Sequence, residues 1–249
     1  MLLYLVGGAA VFVGSGVMAM AGLGAAFLFV PLFFYLGVPL GQATSAALLM
    51  NAASLSAATI AYARAGMVDW RAGIPVLIAA VLLAPLGASL TVRVDQQVLL
   101  GLFVGFLVFA GAIMLFYRPR VGRRELSLVA EAGAGATVGG VAGFLGGLLG
   151  VGGGNIVLPG LTWLGLDPKK AAATTALAVV FSSLSGFLGH AALGGLDPVF
   201  VITMAVLAVT GSLAGSHAMR TRLTSAQLRR FIGILLWVIA AKIALDLLL

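Results

Sequence analysis

An all-α polytopic membrane protein is the fold class this sequence predicts: two inverted-topology repeats with about 8–10 membrane segments, some of them broken or re-entrant helices. Three observations lead there. First, 62% of the 249 residues are hydrophobic and only 8% are charged, with a mean hydropathy of +1.19. A soluble domain carries about a quarter charged residues. Second, the apolar runs are long and do not alternate, unlike the strands of an outer-membrane barrel, so helices must satisfy the backbone in lipid. Third, one interrupted segment occurs twice.

The segments follow from length. A bilayer core about 30 Å thick takes about 20 apolar residues per helix. Full-length candidates are 41–63, 72–92, 97–117, 126–148, 170–192, 198–219 and 226–249. The apolar stretch 2–37 is too long for one span, and its glycines divide it into 3–21 and 24–37. The piece 151–166 follows 126–148 in the same way. These two second pieces come to roughly 21–24 Å of helix, and suit either thin spans or the return arms of re-entrant hairpins. The N-terminal stretch lacks a basic n-region and reads as a first membrane segment, not a signal peptide.

Charge sets the sides. The 14 Lys+Arg against 7 Asp+Glu give a net charge of +7. The positive residues sit in short loops, where they fix topology and make no nucleic-acid surface. Arg118, Arg120, Arg123 and Arg124 form one cluster, and Arg220, Arg222, Arg229 and Arg230 another. Both are expected on the cytoplasmic side. Arg64, Arg71, Lys169 and Lys170 then fall inside too, and Arg93 is the exception outside. Both termini are expected outside, in a multi-pass protein. The chain divides into a membrane repeat 1–117, a basic linker 118–125 and a membrane repeat 126–249.

The repeat rests on spacing. Gly22, Gly24, Pro31 and Gly37 return as Gly150, Gly152, Pro159 and Gly165, each 128 residues later. Downstream the offset becomes 129 or 130: Thr44-Ser45 matches Thr174-Thr175, Ser54-Leu55-Ser56 matches Ser183-Leu184-Ser185, and Arg93 matches Arg222. Each half has an odd number of crossings, so the halves are inverted. Glycine- and proline-interrupted segments at matching places in inverted halves point to a transporter with its site where the breaks meet. A broken helix frees N–H and C=O groups at membrane depth, at several kcal/mol each in lipid unless something satisfies them. The N-terminus of the following half-helix suits an anion. On these grounds Gly152, Gly153, Gly154 and Asn155, with Pro31, Pro159, Thr44, Ser45, Thr174 and Thr175, are expected to surround one central anion site. Asn51, Ser54 and Ser183 extend its polar lining. Gly153→Val is expected to abolish binding. Gly139, Gly140 and Gly143 show small-residue spacing for helix packing, and Gly143→Ala is expected to leave affinity alone.

At these residues the chain resembles the sulfite exporter TauE/SafE family, also called the TSUP permeases. The resemblance is carried by Gly22, Gly24 and Pro31, by "GLLGVGGGNIVLPGL", by "ATTAL" at 173–177, by the doubled architecture and by the basic central linker. The first copy departs from the second, with Ala25, Ala26 and Phe27 where the second has Gly153, Gly154 and Asn155. The resemblance implies an inner-membrane transporter, an exporter of small anions, frequently sulfur oxyanions, sulfonates or carboxylates.

Other classes fare worse. An intramembrane protease would use Ser185 and His190, but five residues turn a helix by about 140°, so the two point apart. A passive anion channel is the alternative; it needs charged pore rings, and few charges are available. His190 is the proton-coupling candidate. With no cysteine and no histidine–carboxylate cluster, no metal ligand set or cofactor is expected. The expected partners are a small anionic substrate and the bilayer, with no nucleic acid, and a homo-oligomer is compatible with these features.

Overall fold

The structure, a computed structural model, describes residues 2–90, 96–116, 128–149, 153–189 and 198–248. Among the described residues it forms ten α-helices and no strand: α1 (Leu2–Ala21), α2 (Ala26–Tyr35), α3 (Leu40–Arg64), α4 (Trp70–Leu90), α5 (Gln96–Phe116), α6 (Leu128–Leu149), α7 (Gly154–Trp163), α8 (Pro168–Gly189), α9 (Pro198–Thr221) and α10 (Ser225–Leu248). Lipid leaves the backbone few choices, so long apolar runs become helices almost end to end. Within the described residues, Ser45–Arg64, Trp70–Gly87 and Pro198–Thr221 are long and apolar enough to cross a membrane by length and composition alone.

Two helices differ from the rest. α2 and α7 have 10 residues each, about 15 Å, or half a bilayer core. They are shorter than the pieces expected at 24–37 and 151–166, and each gives way to a turn, at 36–37 and at 164–165. Gly37 and Gly165 take positive φ (87° and 96°) and end the two half-helices. There the Val38 N–H bonds Phe33 O at 3.0 Å and the Leu166 N–H bonds Leu161 O at 3.1 Å. This is the Schellman closure that glycine favours. Pro31 and Pro159 each occupy the sixth residue of their half-helix. Pro159 has no N–H for the Asn155 carbonyl four residues earlier, so that backbone acceptor loses its usual helical partner.

Packing runs between the halves. α1 lies along α9, α4 along α6, α5 along α10, and α3 against both α8 and α9. α2 rests on α3 and α7 on α8. Exchanging α1–α5 with α6–α10 turns the α1–α9 pair into α6–α4 and the α2–α3 pair into α7–α8, and returns α5–α10 and α3–α8 to themselves. α8 is enclosed along its first half, with every residue from Ala171 to Val179 buried. Only an element surrounded on all sides can be apolar and small all round. Tyr62 Oη donates to Ala19 O (2.7 Å), joining α3 to α1, and Ser212 Oγ donates to Ser54 O (2.7 Å), joining α9 to α3.

The α4–α6 seam corrects one expectation. A Cβ on Gly139 would fall on the Val76 backbone, and one on Gly143 on the Ala80 backbone. The packing role read from the spacing is therefore present. The two backbones lie so close, however, that Gly143→Ala is no harmless control; it strikes the fold itself.

Candidate functional site

The two breaks meet. Gly22, Gly24 and Gly153 take positive φ (67°, 78° and 69°), a conformation that glycine alone adopts without strain. A Cβ on Gly154 would lie 2.6 Å from Leu23 O and 2.8 Å from Val179 Cγ2, so the head of α7 abuts the turn between α1 and α2. A Cβ on Gly22 would fall on the Ala172 carbonyl. α8 thus passes both breaks, with Ala172 against the first and Val179 against the second. Thr175 lies on the same helical face, three residues after one and four before the other, and so stands between them.

α2 and α7 both begin at this junction. Each helix N-terminus carries about half a positive charge, and here two converge. The described polar side chains around it are uncharged: Asn51, Asn155, Thr175 and Ser183, each buried with no more than 2% of its surface exposed. Among the described residues no group of three histidines, cysteines or carboxylates could hold a metal.

The polar atoms divide into those with partners and those without. The Ala25 N–H donates to Asn51 Oδ1 at 2.6 Å, and Asn51 Nδ2 donates to Ser183 Oγ at 2.7 Å. Asn51 therefore caps α2 from the middle of α3 and ties it to α8. Ser54 Oγ bonds its own helix at Asn51 O (3.1 Å). Thr174 Oγ1 accepts the Asp69 N–H at 3.0 Å, fastening α8 to the start of α4. Ser45 also has a partner. Asn155 Oδ1 and Thr175 Oγ1 have none: both are buried and unbonded, as is Thr59 Oγ1 elsewhere on α3. Such atoms cost about 1–3 kcal/mol each in a closed interior.

Against the residues expected from sequence, the structure brings Gly153, Gly154, Asn155, Thr175, Asn51 and Ser183 around the junction. It turns Thr174 and Ser54 toward structural bonds. Pro159 is buried in mid-α7. Gly152 and His190 lie outside the described residues, as do the side chains of Pro31 and Thr44. Sequence reasoning missed Leu23, Ala172 and Val179 as the walls of the junction. Leu23, set between Gly22 and Gly24, was the available signal. A direct check on the Thr174 bond is stability: Thr174→Val should lower it by about 1 kcal/mol in thermal unfolding, since it strands the Asp69 N–H.

Residues 6–243 match the family model described as "Sulfite exporter TauE/SafE". Over 87 residues the chain is 33% identical to the "Probable membrane transporter protein YunE" of Bacillus subtilis (strain 168). That stretch is 34% of this chain and 32% of the relative.

Proposed function

The chain belongs to the sulfite exporter TauE/SafE family, and on that premise we propose that it is a secondary transporter of small anions. It exports sulfur oxyanions, organosulfonates or carboxylates by alternating access around the junction of the two breaks. One observation carries this reading: two half-helix N-termini converge at a buried junction where Asn155 Oδ1 and Thr175 Oγ1 have no partner. A site with unspent hydrogen-bonding groups and positive dipole ends, but no fixed cation among the described residues, fits an anion that must also be released. An oxyanion accepts several bonds at once, and the Asn155 carboxamide can turn to present its N–H groups to it.

The arrangement of loops supports the proposed orientation. Lys169 Nζ donates to Arg220 O (3.4 Å) and Arg220 Nη1 to Ala61 O (3.5 Å). With the Asp69–Thr174 bond, these gather the ends of α3 and α9 and the starts of α4 and α8 at one end of the bundle. That end carries Arg64, Arg71, Lys169, Lys170, Arg220 and Arg222, as a cytoplasmic face should. Single cysteines at Gly122 and Gly195 should label from opposite sides of the membrane. Labelling from one side would sink the topology.

The function is tested by a thermal-shift screen of the purified protein against sulfite, sulfate, thiosulfate, methanesulfonate and acetate. Flux in proteoliposomes should then follow. A carrier shows saturable flux and counterflow of labelled substrate. Conductance without counterflow would instead establish the passive channel.

A further inference from the structure

The two breaks follow one pattern but are finished differently. At the first, Ala25 caps α2: the Leu28 and Phe29 N–H groups bond Ala25 O at 2.9 and 3.0 Å. The N–H of Ala25 itself points back into the junction and donates to Asn51 Oδ1 at 2.6 Å. Ser183 holds the carboxamide in place from the other side. Asn51 is only 1% exposed, and Gly24 makes room for it, since a Cβ there would lie 2.6 Å from Asn51 Oδ1. An oxygen acceptor from the chain itself therefore stands where a helix N-terminus would hold an anion.

At the second break, Gly153 caps α7 in the same way: the Ile156 and Val157 N–H groups bond Gly153 O at 3.0 and 3.1 Å. The residue 129 positions after Asn51 is Val180, which offers no acceptor. Among the described residues no side chain caps this end. Instead Asn155 Oδ1 and Thr175 Oγ1 are buried beside it without partners.

We propose that the two breaks are unequal anion cradles: the α7 cradle takes the transported anion, and the α2 cradle is kept filled from within by the Asn51 carboxamide. This rests on the anion-transport reading and adds a stoichiometry to it. One substrate binds per chain although the repeat supplies two half-helix N-termini. Asn51 is a positioning residue: it fixes the head of α2 and, through Ser183, the distance between α3 and α8.

Calorimetric titration of the full-length protein in detergent with sulfite tests this. The wild type should bind one sulfite per chain. Asn155→Leu should weaken that site at least tenfold. Asn51→Ala, which empties the α2 cradle, should bind two. Two sites in the wild type would overturn the proposal, as would a single site in folded Asn51→Ala. Should Asn51→Ala not fold, Asn155→Leu decides: a site that survives it at full affinity puts the anion at the other break. If the folded wild type binds neither sulfite, thiosulfate, methanesulfonate nor acetate, the transport reading itself fails and this proposal with it.

Discussion

Thr175→Val should raise the melting temperature and at the same time remove anion affinity. Thr175 is fully buried, and its hydroxyl has no hydrogen-bond partner. Valine has nearly the same shape without the hydroxyl. Replacing an unsatisfied buried polar group by an apolar one of equal size relieves a desolvation cost of about 1–3 kcal/mol. A gain of about 1 kcal/mol corresponds to a shift of roughly 2–4 °C for a chain of this size. Binding should move the other way. A hydroxyl bonded to a charged ligand contributes about 1.5–3 kcal/mol, or roughly ten- to 150-fold in affinity. Asn155→Leu should behave alike, for the same reason. Thermal unfolding and sulfite titration on the same preparation read both signs. A residue kept for packing loses stability when changed and leaves affinity alone; that outcome would remove Thr175 from the site.

Gly143→Ala should yield no folded protein. The added methyl falls on the Ala80 backbone. No rotamer change relieves a clash with main chain, so α4 and α6 must move apart along a seam that also includes Gly139 against Val76. Overpacking in a close-packed interior typically costs about 1–3 kcal/mol, and more where the neighbour cannot yield. Here it cannot. Gly133→Ala is the control on the same helix: a Cβ there meets nothing within 4 Å. It should be neutral or stabilising by up to about 1 kcal/mol, since alanine favours the helix. Detergent size-exclusion profiles distinguish the two. A monodisperse, fully stable Gly143→Ala would mean the seam is looser than its geometry.

The helices were legible because lipid enforces them. The span expected at 41–63 became Leu40–Arg64, and that at 198–219 became Pro198–Thr221. The doubled glycine–proline pattern located the breaks, and the residues around them do come together. Individual roles were less legible. Thr174 and Thr175 are adjacent, so their side chains leave the helix about 100° apart. One reaches Asp69 and the other faces the breaks; adjacency cannot say which. Asn51 stood out as a carboxamide in an apolar run. That it caps a helix starting 25 residues earlier depends on the fold of α2 against α3, which no local pattern records.

The exchange of partners between the halves bears on how the chain assembles. α1 lies along α9 and α4 along α6, so α1 finds its main neighbour only when α9 has been made. Until then its glycines and small residues face lipid. Neither half is a folding unit in the ordinary sense; each is completed by helices of the other, as protomers are in a domain-swapped pair. Contacts between such distant parts of a chain are slow to form. The membrane limits that cost by confining every helix to one layer and a few orientations. The fold therefore depends on insertion in the correct topology before packing begins, and an inverted α1 would deprive α9 of its neighbour as surely as a deletion.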